Sequence, residues 1–249
     1  MRLTPVQQAW GWFVMPPHAG ITEEDRGTVE VMGLGLPVRA SLAVVVAIAV
    51  LLIDLSRVLL PAVVDGLGRD PTAVRIVALE RVALFGVVPL LVVLLVFRDR
   101  PSRYGWTFGD ARAGTLLAVA GCVVMTPIVL WYARLPDVQA YYAVSAAPLP
   151  DVVLTNALEL IPAEFLFRGF LMLTLVRTIG PIGVLIAVMP FAYAHVGKPA
   201  LELLSTLGGG LAYGWLAWRT QSILWGSIAH VYILSLVVLA AASAAVAAR

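Results

Sequence analysis

Three residues in apolar surroundings carry most of the chemical potential of this 249-residue chain: Glu164, His195 and His230. Glu164 lies in PAEFLFRGF, residues 162–170, and Arg168 follows it by four positions. That spacing sets both side chains on one face of a helix, where their charges neutralise each other. His195 closes the stretch FAYAH, with Phe191 one turn earlier on the same face, and His230 sits inside WGSIAHVYILS. One carboxylate and two imidazoles suit water-mediated chemistry in either of two ways. A carboxylate and a histidine activate water while the second histidine stabilises an oxyanion, or all three ligate a divalent metal such as zinc. Peptide hydrolysis fits both. A nucleophilic serine has less behind it, because Ser205, Ser222, Ser227 and Ser235 lack a G-x-S-x-G setting. The bland alternatives are a Glu164–Arg168 ion pair that only fixes helix packing, and an interfacial, hydrogen-bonded His195.

The elements that must position these residues are membrane helices. The chain is 61% hydrophobic and 13% charged, against roughly 25% charged residues in soluble domains. An ionisable group in the hydrocarbon region costs about 2.5 to 3.5 kcal/mol, so each one should face a bundle interior or a cavity. Counting stretches of roughly 20 apolar residues gives seven spans, at about 39–63, 74–97, 112–134, 150–176, 180–196, 200–218 and 222–246. The fifth and sixth are short. Proline and glycine mark most of the breaks, as in DGLGRDP, RDRPSRYG, TIGP and VGKP. The expected fold is therefore an all-α polytopic membrane protein. It has an N-terminal cytoplasmic or interfacial segment, residues 1–38, and a transmembrane domain, residues 39–249. Gly210 and Gly214 form a small-xxx-small pair that lets two helices approach closely.

Charge and cysteine content narrow the partners. A net charge of +2 without a basic tract gives no footprint for nucleic acid. Cys122 is the single cysteine, so an internal disulfide and a thiolate metal cluster are both excluded. The loop bearing Arg98, Arg100, Arg103 and Arg112 is the best cytoplasmic candidate by the excess of basic residues, which sets the N-terminus in the cytoplasm. The N-terminus lacks a signal-peptide core and is expected to be retained, with Trp10, Trp12 and Phe13 at the interface. The Ala-, Val-, Leu- and Arg-rich composition suggests a bacterial source, and hence a multi-pass protein of the bacterial inner membrane.

Taken together, residues of about 150–240 resemble the CPBP family of intramembrane proteases, which comprises CAAX proteases and bacteriocin-processing enzymes and is also called Abi. The first family motif, Glu-Glu-x-x-x-Arg then Gly, is met by Glu164, Arg168 and Gly169. The second, Phe-x-x-x-His, is met by Phe191 and His195, and the approach to His230 resembles the third. Two positions depart from the pattern. Ala163 stands where the family has its first glutamate, the one usually assigned to water activation, and Leu234 replaces the polar residue four after the third-motif histidine. Tyr232 or Ser235 is a conceivable substitute for that polar group.

The resemblance implies an intramembrane endopeptidase acting on a membrane-associated or membrane-anchored peptide or protein in the lipid bilayer. Glu164 and His195 would activate water, His230 would stabilise the oxyanion, and Arg168 would hold Glu164. Three accounts of the missing carboxylate stay open. Glu164 serves as the base; or Glu159, one turn before Ala163, supplies the carboxylate; or the fold has lost the chemistry and acts as a binding or immunity-type partner. A metal-free mechanism is expected, with zinc held by Glu164, His195 and His230 as the other version. In a protease of this kind, Glu164, His195 and His230 should converge on one cavity.

Overall fold

In a computed structural model of the chain, the structure describes residue 11 and residues 15–17, 20–60 and 69–247. Trp10, Trp12 and Phe13, placed above at the interface, lie outside the described residues, as do the last positions of the first expected span. The described residues form seven long helices and a few short elements. A β-hairpin comes first, β1 (Thr28–Val31) paired antiparallel with β2 (Leu34–Pro37). It turns on Met32 and Gly33, both at positive φ. Helix α1 (Val38–Ser56) follows directly and stops at Arg57, which takes the left-handed conformation. Helix α2 (Pro71–Val96) starts with Asp70, whose carboxylate accepts from the Ala73 N–H, and with Pro71 in the first turn, where a missing N–H costs nothing.

Helix α3 (Ala111–Tyr132) is capped in the same way by Asp110, whose side chain accepts from Ala113 N–H. A short helix, α4 (Pro136–Tyr142), precedes α5, a continuous helix of residues 149–179. Within α5, regular helix Leu149–Glu164 passes into a π-helical stretch, Phe165–Met172, and back into α-helix over Leu173–Ile179. Helices α6 (Ile182–Tyr193), α7 (Ala200–Thr220) and α8 (Leu224–Ala247) complete the bundle.

The seven expected spans thus correspond in order to α1, α2, α3, α5, α6, α7 and α8. Four helices, α1, α2, α3 and α8, are long and apolar enough to cross a membrane, while α6 is a shorter apolar helix. Helix α5 is long enough but carries Asp151, Glu159, Glu164, Arg168 and Arg177. The chain is a multi-pass, all-α membrane protein. Two features depart from the sequence reading: the β-hairpin, whose four-residue strands are too short for a periodicity signal, and α4, which lies between the third and fourth expected spans.

Two close approaches lock the bundle. A Cβ on Gly214 would lie 2.9 Å from Val184 Cγ1, and one on Gly210 would lie 3.1 Å from Val188. The small-xxx-small pair therefore brings α7 against α6, as the sequence implied. Gly169 matters more, because a Cβ there would lie 2.3 Å from the Tyr104 carbonyl oxygen. This glycine seats α5 directly on the backbone of the loop between α2 and α3.

The same loop closes one end of the bundle with buried charge. Asp25 accepts from Arg39 at 3.0 Å and from Arg103 at 2.7 Å, with Arg177 at 3.6 Å. Arg39 also bonds the Phe97 carbonyl at 3.0 Å, and Arg219 reaches Asp110 at 3.0 Å. Burial pushes the Asp25 carboxyl up, but its bonds to the Thr22 backbone N–H and to Arg103, with Arg177 and Arg39 close by, hold it down at about 2. Arg177 also reaches the Arg103 carbonyl at 2.9 Å, while Arg69 and Lys198 line a separate cavity together.

Candidate active site

Helix α5 delivers Glu164 into the centre of the bundle just where its α-helical hydrogen bonding gives way to the π-helical stretch. Such π-turns are frequent at functional sites. The Glu164 side chain is 1% exposed, and its Oε1 meets two partners. Arg168 Nη1 lies at 3.3 Å and His230 Nδ1 at 2.8 Å. With the Arg168 guanidinium at the same oxygen, Oε1 is the acceptor, so His230 Nδ1 carries the hydrogen and donates it. The second imidazole nitrogen, Nε2, is left free for chemistry. Gly226, one turn before His230 on α8, makes this possible, since a Cβ there would stand 3.3 Å from Glu164 Oε2.

Arg168 is held mostly by aromatic faces. Its guanidinium carbon sits 3.8 Å from the centre of the Phe191 ring and 5.5 Å from that of Tyr213, close enough for cation–π attraction. Phe191 also neighbours the two histidines, with ring centres 4.5 Å away for His195 and 6.3 Å for His230, both in edge-to-face geometry. One ring thus packs against the buried cation and both imidazoles. Tyr213 stacks on His230 with centres 4.9 Å apart and planes 20° from parallel, which fixes the ring plane.

His195 lies just past the end of α6, in the turn to α7. Its Nδ1 is 2.8 Å from the Phe191 carbonyl oxygen. A carbonyl only accepts, so Nδ1 is the protonated nitrogen and Nε2 presents a lone pair. The spacing Phe-x-x-x-His therefore has a local cause: the histidine bonds back to the carbonyl four residues earlier.

His195 and His230 line one cavity of about 420 Å³ between α3, α4, α6, α7 and α8. Its walls are largely apolar, with Met125, Val129, Ile233 and Val237 among them. Helix α7 contributes Gly208 and Gly209, where no atom lies within 4 Å of an added Cβ. Glu164 is not on the wall. Of the three residues expected to converge there, two do, and the carboxylate stands behind His230 as its hydrogen-bond partner. The pairing is Glu164 with His230, across 66 residues, and not with His195.

The other sequence candidates sit elsewhere. Glu159 is ion-paired with Arg81, which also grips Asp54 at 2.9 and 3.0 Å. It borders a second, polar cavity of about 170 Å³ that neither histidine lines, although Ala194 and Val196 on either side of His195 do. Ala163 packs against the apolar core. Tyr232 shares a 2.8 Å hydrogen bond with Thr126, and Ser235 accepts from Asn156 at 3.0 Å, so both are engaged away from the cavity.

Toward a metal, Glu164 Oε1 is engaged by His230 Nδ1 and its buried Oε2 has no hydrogen-bond partner, while Glu164 itself is not on the wall that the two histidines share. Among the described residues no three His, Cys, Asp or Glu side chains are grouped closely enough to hold an ion as they stand.

Sequence reasoning passed over one cluster on the cavity wall. Glu202, in the first turn of α7, accepts from Tyr142 at 2.7 and 2.8 Å, from Tyr132 at 3.1 Å and from Lys198 at 2.9 Å. The i,i+4 spacing of Lys198 and Glu202 was the one local signal available.

Residues 145–236 match a family model described as type II CAAX prenyl endopeptidase Rce1-like. That segment runs from just before α5 to just past the middle of α8 and contains Glu164, Arg168, Phe191, His195 and His230. No curated protein and no solved structure matches the chain.

Proposed function

We propose that this chain, whose residues 145–236 match the Rce1-like CAAX prenyl endopeptidase family model, is an intramembrane endopeptidase in which His230, oriented by its bond to Glu164, activates water. The reading rests above all on one observation: His195 and His230 share a cavity while Glu164 bonds His230 from behind. In the proposed reaction, His230 Nε2 takes a proton from a water molecule as the water oxygen adds to the scissile carbonyl carbon. The Glu164 carboxylate stabilises the imidazolium that forms. When the tetrahedral intermediate collapses, the imidazolium returns its proton to the amide nitrogen, the C–N bond breaks, and an acid and an amine leave. His195 Nε2 accepts the other hydrogen of the water and so aims its lone pair. Glu164 here acts through an imidazole, as the buried acid of a Ser-His-Asp triad does. The largely apolar cavity suits a substrate presented from the membrane.

The second reading, a binding or immunity-type partner without catalysis, draws on Ala163 and on the sealed position of Glu164. The two are separated by reconstituting the full chain in liposomes with quenched fluorescent peptides, with and without an S-prenylated cysteine. Cleavage should fall at least about 100-fold in His230→Ala and in His195→Ala, in keeping with general-base contributions. Cleavage unchanged in both variants refutes the protease assignment of this cavity. Peptide binding without cleavage by the unaltered chain supports the second reading.

A further inference from the structure

An amide hydrolysis in this cavity needs a hydrogen-bond donor for the oxygen that takes up negative charge, and most donors on the wall are already committed. His230 gives its Nδ1 hydrogen to Glu164 and His195 gives its own to the Phe191 carbonyl. The hydroxyls of Tyr132 and Tyr142 both go to Glu202. Ser205 and Thr206 turn back on the carbonyls of Glu202 and Leu203, at 2.8 and 2.6 Å. Of the wall donors left over, which include the Tyr213 hydroxyl on the ring stacked against His230, Lys198 is the charged one. Its ammonium has three hydrogens, of which the 2.9 Å contact with Glu202 Oε1 uses one. It is the only lysine of the chain and the only Lys or Arg on this cavity wall among the described residues. Its side chain is 16% exposed.

Backbone geometry ties Lys198 to the site. Its N–H bonds the His195 carbonyl at 3.1 Å, so the turn that ends in His195 also sets the lysine. Glu202, itself fixed by two tyrosines, then holds the ammonium at the cavity edge. We propose that Lys198 is the oxyanion donor of this cavity, giving a hydrogen bond from Nζ to the scissile carbonyl oxygen as water adds to the carbon, with Glu202 as its positioning residue. No proton is transferred in this contact; the charge that forms on oxygen is stabilised and then returns to re-form the carbonyl as the C–N bond breaks. The proposal rests on the protease reading above and adds to it a residue outside the resemblance.

The test measures kcat and KM in liposomes for Lys198→Met, Lys198→Arg and Glu202→Gln, beside the His230→Ala variant. Loss of one oxyanion donor lowers rate about 10²- to 10³-fold, so Lys198→Met should lose that much in kcat with KM within threefold. Lys198→Arg keeps a cationic donor and should stay within about tenfold of the unaltered chain, which also guards against a Met variant that fails to fold. Binding of a peptidyl trifluoromethyl ketone, whose hydrated form mimics the tetrahedral intermediate, should weaken in proportion to the loss in kcat/KM. A Lys198→Met protein with unaltered kcat, while His230→Ala is inactive, overturns the role of Lys198 and leaves the protease reading standing. So does a loss of this size in Tyr213→Phe with none in Lys198→Met.

Discussion

Replacing Glu164 by Gln tests whether the buried pair is a unit. The side chains of Glu164 and Arg168 are 1% and 3% exposed, and neither guanidinium Nη finds a hydrogen-bond acceptor. Charge neutralisation and two aromatic faces are all that hold Arg168 in place. With Gln at 164, the amide oxygen still accepts from His230, but Arg168 becomes an uncompensated cation inside the bundle. Breaking a buried pair from one side costs about 3 to 5 kcal/mol, and an arginine at membrane depth costs about 2.5 to 3.5 kcal/mol on insertion scales. Both routes put Glu164→Gln at about 3 kcal/mol of destabilisation. Arg168→Met strands the carboxylate with His230 alone and should cost a similar amount. The double variant strands nothing, so it should be more stable than either single one, with a coupling of several kcal/mol. The assay is a double-mutant cycle read by unfolding of the detergent-solubilised chain. Additive losses, with the double variant the least stable of the set, would refute the idea that each charge is there to neutralise the other.

Two further outcomes are expected. Gly209→Leu places a side chain where nothing lies within 4 Å of the new Cβ, on the wall of the cavity; peptide cleavage should fall at least about tenfold with little change in melting temperature, since a surface free of clashes tolerates change within about 0.5 kcal/mol. The pH dependence of stability should carry the mark of Asp25, held at about 2 against an ordinary 3.8. A depressed carboxyl contributes stability fully above its unfolded value, and loses it as the pH falls through about 2, so melts between pH 5 and pH 2 should fall more steeply for the unaltered chain than for Asp25→Asn; parallel curves would dismiss the contribution.

The spans were legible because each is a run of apolar residues closed by Pro, Gly or charge, and α3 and α7 begin and end within about two residues of the expectation. The Gly210–Gly214 contact was legible for the same reason, as local spacing that needs no knowledge of the partner. Phe191 and His195 also speak locally, through a bond across four residues. The site's central contact does not. That Glu164 meets His230, and not His195, depends on how α5 and α8 cross, and no periodicity in either helix encodes it. Lys198 read as the punctuation of a turn, because only the fold brings that turn against the cavity and sets Glu202 beside it. Glu159 illustrates the converse: it lies on the same helical face as Ala163, yet Arg81 from α2 draws its carboxylate into another network.

The π-helical stretch Phe165–Met172 gives α5 a residue to spare. A π-turn absorbs one residue more than the α-helical turn it replaces, so the helix beyond keeps the phase it would have without that residue. Deleting a single residue inside the stretch should therefore leave Arg177 facing the Arg103 carbonyl that it now reaches at 2.9 Å, and what such a deletion disturbs is the stretch itself, where Gly169 seats on the Tyr104 backbone. A deletion in the regular helix on either side has no such slack: each α-helical residue turns about 100°, and the buried carboxylate and the charged seal would be put out of step by that angle. Along this one helix, the tolerance for a lost residue is local, and it lies next to the buried carboxylate.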